Sequence, residues 1–237
     1  MPRWIETELK LLLPDEVAWQ RVRTALAGGS VVFQVNHFFD RPDGLLREAR
    51  IGVRLRAEGG RHSLAVKGER ARASEGALAQ RIELESGIAP ADAETALIRG
   101  LDLAPWLGRW RADSAEGSAS AELVGFLETL EAACRGRLLE RYAELANRRE
   151  TLRLELRDAD GPFEVELALD RTTLPGGRVD HEIEIEFASG FEALSGRIEA
   201  AVRQWLRELG GIETSPATSK LARLHQQLDE QNVRAAR

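Results

Sequence analysis

The sequence predicts a mainly β fold of the α+β class: an antiparallel sheet or barrel with helices at its periphery. Three observations carry this. Eight or nine segments read as strands. They do not alternate regularly with helices, as a parallel sheet would require. Several strands also repeat one arrangement, with charged residues at one parity and apolar residues at the other.

The elements follow in order. Trp4 to Leu13 alternates as a strand, with Glu6, Glu8 and Lys10 on one face and Ile5, Leu9 and Leu11 at the opposite parity. Pro14-Asp15-Glu16 opens a helix whose apolar face holds Val17, Val22 and Leu26, and Gly28-Gly29 ends it. Residues 31–39 and 45–57 read as the two strands of a hairpin around the turn Asp40-Arg41-Pro42-Asp43-Gly44. After Gly59-Gly60 come a short strand from His62 to Lys67, a loop-like stretch over 70–79 and a strand from Gln80 to Ser86. Pro90-Ala91-Asp92 starts a helix reaching to about Leu103. Leu123, Phe126, Leu127 and Leu130 mark one face of another helix. Strands resume at Leu138–Leu145, Asn147–Arg157, Pro162–Asp170 and His181–Phe187. Helices over about 191–209 and 216–230 close the chain, with Ser215-Pro216 as the start of the last.

Composition bounds the function. The chain has 237 residues, enough for a real core, and 43% hydrophobic with 30% charged residues marks it as globular. A net charge of −6 and a pI near 5.5 disfavour nonspecific nucleic-acid binding. Cys134 is the single cysteine, so no intramolecular disulfide forms, and its neighbours suggest a helical core position. The N-terminus carries no basic-then-apolar secretory signal and no stretch approaches 18 apolar residues, so a cytoplasmic location is expected.

Residues 111–120 are small and polar and could pass for a linker. Charged strand pairs lie on both sides of residue 115, so a single domain over 1–237 is the better reading.

A lone charged strand face is usually a solvated one, laced with ion pairs that each contribute little. The set is harder to dismiss. Glu6 and Glu8, Glu83 and Glu85, and Glu182 and Glu184 are carboxylate pairs two residues apart on separate strands, and Asp170 ends a fourth strand after Glu166 and Ala168. The cations are Lys10, Arg54, Arg56, Lys67 and Arg149, with Arg153 two further steps along the same face. Arg149 is preferred over Arg148 because Thr151 and Arg153 share its parity, while Leu152 and Leu154 take the other. Carboxylates are the ligands that hard divalent ions choose, and arginine and lysine are those of phosphate oxygens. Acids and bases sorted in this way suit one polar cavity holding a metal-bound polyphosphate.

Glu6-x-Glu8-x-Lys10 resembles the signature that opens the CYTH, or triphosphate tunnel metalloenzyme, superfamily. The resemblance runs on through Asn36-His37-Phe38-Phe39-Asp40, Val53-Arg54-Leu55-Arg56, Leu64-Ala65-Val66-Lys67-Gly68 and Arg81-Ile82-Glu83-Leu84-Glu85. It continues with Asn147-Arg148-Arg149-Glu150, Ala168-Leu169-Asp170, Glu182-Ile183-Glu184-Ile185-Glu186 and Ser219-Lys220-Leu221. In order, over more than 200 residues, these motifs are highly specific together.

What the resemblance implies is an eight-stranded antiparallel β-barrel forming a charged tunnel that binds a small-molecule triphosphate with Mg2+ or Mn2+. It implies a metal side of Glu6, Glu8, Glu83, Glu85, Asp170, Glu182 and Glu184. The implied phosphate side is Lys10, Arg54, Arg56, Lys67, Arg149 and Lys220, the last supplied by the resemblance alone. Glu6, Glu8, Lys10 and Arg56 are the implied catalytic residues. The run from Glu166 to Asp170 followed by Glu182 to Glu186 is similar to bacterial inorganic triphosphatases, some of which carry a helical CHAD domain; none is read here. The expected activity is metal-dependent hydrolysis of inorganic tripolyphosphate. Alternatives are a thiamine triphosphatase, a class IV-like adenylyl cyclase, or a non-catalytic polyphosphate- or nucleotide-binding module.

The remaining residues fit other roles. His37 reads as structural, and His62, His181 and His225 lack zinc-ligand spacing. No Gly-x-Ser-x-Gly or Cys/His pair suggests a nucleophile. Trp106 and Trp110 read as packing anchors. Phe33, Phe126, Phe163 and Phe187 are expected in the core, leaving Phe38 and Phe39 as the pair able to reach a nucleobase.

Overall fold

The computed structural model describes residues 4–26, 28–69, 77–116, 120–158, 161–188 and 192–235. Its elements begin β1 (Ile5–Leu12), α1 (Glu16–Ala25), β2 (Ser30–Asp40), α2 (Leu45–Glu48), β3 (Ile51–Glu58), β4 (Arg61–Glu69) and β5 (Leu78–Ile88). Three helices follow: α3 (Pro90–Arg99), α4 (Ala104–Glu116) and α5 (Ala121–Cys134). Then come β6 (Glu140–Asp158), β7 (Gly161–Thr173), β8 (Val179–Glu186), α6 (Ser195–Gly210), β9 (Ser215–Pro216) and α7 (Lys220–Ala235). No described helix is long and apolar enough to cross a membrane.

The strands hydrogen-bond in the order β5-β4-β3-β2-β6-β7-β8-β1-β9, and β5 also pairs with β1. This is the closed, eight-stranded antiparallel barrel with peripheral helices that the sequence predicts, plus β9 as one extra strand. The chain divides into two compact units interleaved in sequence. One comprises Met1–Glu6, Val35–Ala71 and Arg81–Glu144; the other comprises Thr7–Gln34, Arg72–Gln80 and Leu145–Arg237.

In the first unit, β3, β4 and β5 pair in antiparallel register. Gly59 and Gly60, with φ of 54° and 79°, make the two-residue turn joining Glu58 to Arg61, a left-handed pair that favours glycine. Val53, Leu55, Leu64, Val66, Ile82 and Leu84 share one face and form a core with Trp106 and Trp110 of α4 and Leu123, Leu127 and Leu130 of α5. The indole N–H of Trp110 donates to Ser86 Oγ at 2.8 Å, so both tryptophans anchor packing as expected. Gly68 lies on this covered face, where a Cβ would come 2.2 Å from the Phe126 ring; only glycine lets α5 approach so closely. The opposite face of the same strands carries Arg54, Arg56, Lys67 and Glu83.

Two expectations in this unit are corrected. Residues 45–57 are not one strand, because the Asp40 carboxylate accepts hydrogen bonds from the Leu46 and Arg47 amides, each at 3.0 Å, and nucleates α2 before β3 begins. The linker-like stretch is helical as far as Glu116 in α4; residues 117–119 lie outside the described set, and the Ser120 hydroxyl caps α5 by accepting from the Leu123 amide.

In the second unit, β6, β7, β8 and the larger part of β1 bury Leu9, Leu11, Leu152, Leu154, Leu167, Leu169, Ile183 and Ile185 with Trp19 and Val22 of α1 and Val202 and Leu206 of α6. Asp15 caps α1 through the Ala18 amide at 2.8 Å. Of the expected face of α1, Val22 is buried and Leu26 packs against the core, while Val17 is 59% exposed and Ala18 and Trp19 are buried in its place. The strands expected at 138–145 and 147–157 form one strand, β6, since no glycine or proline interrupts them. Ser215-Pro216 pairs with Leu11 and Leu12 of β1 instead of opening a helix. The last helix starts at Lys220, after Ser219, whose hydroxyl accepts from the Ala222 amide at 3.1 Å. Phe33 is 70% exposed rather than buried.

Candidate functional site

Each unit gathers charge on the strand face opposite its apolar core. In the first unit, Lys67 and Glu83 stand opposite one another in the β4–β5 register. The Glu83 amide donates to the Trp4 carbonyl at 3.0 Å, which brings the first residues of β1 alongside β5. Glu6 thereby meets Lys67, whose ammonium lies 3.0 and 2.8 Å from its two oxygens and 3.0 Å from Glu83. Arg54 lies 3.8 Å from Glu83, and Arg81 lies 3.4 Å from Glu6. Burial pushes Glu83 up, but Lys67 and Arg54 outweigh it and hold its carboxyl below the usual range. Arg56 donates to Asn36 Oδ1 at 3.1 Å on the same strand face as Arg54.

The second unit is denser. Cross-strand register sets Lys10 of β1 opposite Glu184 of β8, Glu182 opposite Asp170 of β7, and Asp170 opposite Arg149 of β6. The Lys10 ammonium is 2.5 Å from Glu184 and 2.9 Å from Glu8. Arg149 grips Asp170 with two nitrogens, at 2.8 and 2.6 Å, and also donates to Glu184. Lys220, the first residue of α7, reaches Asp170 at 2.8 Å and Glu182 and Glu184 at 2.6 Å each. The Asn147 amide donates to both Gln34 and Asp170 at 3.0 Å, and Thr172 donates to Asn147 Oδ1 at 2.9 Å, fixing the amide's orientation.

These carboxylates are almost fully buried: Asp170 and Glu182 are 0% exposed, Glu8 4% and Glu184 9%. Burial raises the Asp170, Glu182 and Glu184 carboxyls, and cations decide the outcome. Lys10, Lys220 and Arg149 hold Glu184 well below the usual carboxylate range, and Lys220 and Arg149 hold Asp170 below it. Glu182 stays raised, since burial and the neighbouring Glu184 outweigh Lys220 and Lys10. Burial would lower Lys10 and Lys220, but the carboxylates beside them raise both.

Asp170, Glu182 and Glu184 can each aim one oxygen into a group spanning 4.8 Å or less, among the described residues the set able to hold a metal ion. All three donors are carboxylates, which fits a hard divalent ion such as Mg2+ or Mn2+.

Of the residues singled out from sequence, the structure brings Glu6, Arg54, Lys67 and Glu83 together in one unit and Glu8, Lys10, Arg149, Asp170, Glu182, Glu184 and Lys220 together in the other. Arg153 is not gathered: its side chain is 74% exposed and faces Glu164 at 3.8 Å. Glu85 and Glu166 are exposed on β5 and β7. Arg148 points to the other face of β6, over the Trp19 ring at 5.1 Å. His37 is buried beside Glu144 at 3.1 Å, and burial pushes it down.

Sequence reasoning missed Arg223, which is 5% exposed. It lies 2.8 Å from Asp180 and 2.7 Å from Glu182, and donates to the Thr218 carbonyl. Its signal was the spacing of three from Lys220, one helix face. Arg81, two residues before Glu83, was legible by the same strand parity that picked Glu83. Phe38 and Phe39, expected as the accessible aromatic pair, are 6% and 1% exposed.

The CYTH domain family model matches residues 4–219. HpAC1 from Hippeastrum, a candidate adenylyl cyclase with a dominant triphosphatase activity, is similar in structure at a TM-score of 0.70 and 23% identity, covering 94% of this chain and 96% of that one. A candidate adenylate cyclase from Bacillus halodurans aligns at 0.59 and 20% identity over 93% and 98% of the two chains. The PH1819 protein from Pyrococcus horikoshii OT3 aligns at 0.50 and 16% identity over 93% and 99%. No curated protein compared with the chain matches it.

Proposed function

The chain belongs to the CYTH domain family, and from that premise we propose that it is a metal-dependent triphosphatase. The proposed reaction hydrolyses inorganic tripolyphosphate to pyrophosphate and phosphate. The observation that carries this reading is the convergence of three buried carboxylates, Asp170, Glu182 and Glu184, with Lys10, Arg149 and Lys220. Phosphate binding alone needs the cations, so a pure binding module leaves the carboxylates without a purpose. The dominant triphosphatase activity of HpAC1 agrees with the reading.

Asp170, Glu182 and Glu184 would hold the divalent ion, with Glu8 beside them; Glu6 and Glu83 are the further metal carboxylates of the first unit. A bound Mg2+ or Mn2+ would supply positive charge that offsets the charge of the triphosphate. Lys10, Arg149 and Lys220 would donate to phosphate oxygens beside these carboxylates, and Arg54, Arg56 and Lys67 are the further phosphate-side cations of the first unit. Water attacks the terminal phosphorus, the bond to the bridging oxygen breaks with its electron pair leaving on pyrophosphate, and a carboxylate accepts the water's proton.

A cyclase is the second reading, favoured by the names of the structural neighbours. Burial of Phe38 and Phe39 weighs against a stacked base, as does the small aromatic share of 5%. The test is phosphate release from tripolyphosphate, ATP and thiamine triphosphate with Mg2+ or Mn2+. We expect kcat/KM for tripolyphosphate to exceed that for ATP by at least about tenfold, or ~1.4 kcal/mol in transition-state binding. Cyclic AMP among the products would move the assignment to a cyclase, and a preference for thiamine triphosphate would move it to that hydrolase.

A further inference from the structure

Of 33 basic residues in the chain only three are lysines, Lys10, Lys67 and Lys220, and all three sit in the charged clusters. Everywhere else the chain uses arginine. The distinction is chemical: an ammonium is a compact point charge on a flexible stem, whereas a guanidinium is a planar fork. Lys220 uses that compactness to the full. Its single nitrogen lies 2.6 to 2.8 Å from oxygens of Asp170, Glu182 and Glu184, the same three carboxylates that can converge on a metal ion.

We propose that the Lys220 ammonium is the resident cation of this carboxylate group, and that a divalent ion binds there by displacing it. The inference rests on the metal role assigned above to these carboxylates. Three negative charges drawn together in a buried site need a cation at all times, because like charges on opposed strand positions repel. Lys220 supplies it before metal arrives. The displaced ammonium then becomes available to a phosphate oxygen, so metal loading would prepare the cluster for its anion.

The geometry lets the side chain leave without the helix. Lys220 is the first residue of α7, whereas Arg223, one turn on, is tied to Asp180, Glu182 and the Thr218 carbonyl. Arg223 holds the helix while the four-carbon stem of Lys220 swings.

Two measurements on the whole chain without substrate test this. Mn2+ affinity, read by electron paramagnetic resonance of the free ion, should tighten by at least about tenfold in Lys220→Met, because the competitor is gone. Unchanged or weaker binding in a folded Lys220→Met would overturn the proposal. In the wild type, amine labelling read by mass spectrometry should show Lys220 modified faster with Mn2+ than with EDTA, a result that does not depend on the variant folding. Equal or slower labelling with Mn2+ would overturn it as well. Glu184→Gln separates metal binding itself from displacement of Lys220. If wild-type Mn2+ binding survives that substitution undiminished, the metal role itself fails; if binding is lost but Lys220→Met binds no tighter, only the displacement fails.

Discussion

Asp170 and Glu182 stand directly opposite each other on β7 and β8, two fully buried carboxylates at a cross-strand position where like charges destabilise. The fold tolerates the pair because Arg149 clamps Asp170 from the neighbouring strand while Lys220 and Arg223 reach Glu182 from α7. Repulsion is held in place by three cations, which is a costly arrangement for stability alone and a sensible one for holding metal and phosphate.

Asp170→Asn should therefore be strongly destabilising. It leaves the Arg149 guanidinium without its bidentate partner, and breaking a buried pair costs about 3–5 kcal/mol. Urea denaturation of the metal-free protein reads this directly. A loss below about 1 kcal/mol would mean that solvent screens the pair far more than its burial implies.

Glu6→Gln and Glu8→Gln remove a carboxylate charge and almost no volume. Both should lower kcat with Mg2+ at least about a hundredfold while leaving a folded protein, since Lys67 keeps Glu83 and Lys10 keeps Glu184. Turnover at the wild-type rate in either variant would remove that glutamate from the metal set.

Arg149→Ala and Arg153→Ala make a contrast on one strand face. Losing Arg149 should weaken transition-state binding of tripolyphosphate by about 1.5–3 kcal/mol, the scale of a charge-assisted phosphate contact. Arg153, 74% exposed and removed from the cluster, should be silent in kcat/KM. Similar losses from both would point to long-range charge instead of contact.

Acid stability should carry a signature from Glu16. Its hydrogen bond from Arg171, at 3.0 Å, is the largest influence and holds the carboxyl at about 2, against an ordinary 4.5. A depressed carboxyl contributes stability above its unfolded pKa and loses it as pH falls through the folded one. The melting-temperature gap between wild type and Glu16→Gln should thus be full above pH 4.5 and close as pH falls toward 2. A gap independent of pH across that window would exclude the linkage.

How far the sequence was legible follows from period and parity. The alternation of charged and apolar residues gave the strands and, through them, the faces on which Glu6, Lys67, Glu182 and Glu184 lie, because a strand leaves no freedom in where its next-but-one side chain points. Arg149 was separable from Arg148 by the same rule. What parity could not supply was depth along a strand: Arg153 shares the face of Arg149 yet reaches solvent. Residues set by tertiary capping were equally hidden. Asp40 makes α2 out of an apparent strand through amides six and seven positions on, and Arg223 reaches Asp180 across 43 residues of sequence.

The proposed role of the carboxylates is a metal-dependent cleavage of triphosphate. Phosphate release from inorganic tripolyphosphate, with Mg2+ and with EDTA, in wild type and Glu184→Gln, tests it most directly. The wild type should turn over with Mg2+ and not with EDTA, and Glu184→Gln should not turn over under either condition. Turnover that persists in EDTA, or that survives the loss of Glu184 undiminished, would contradict it.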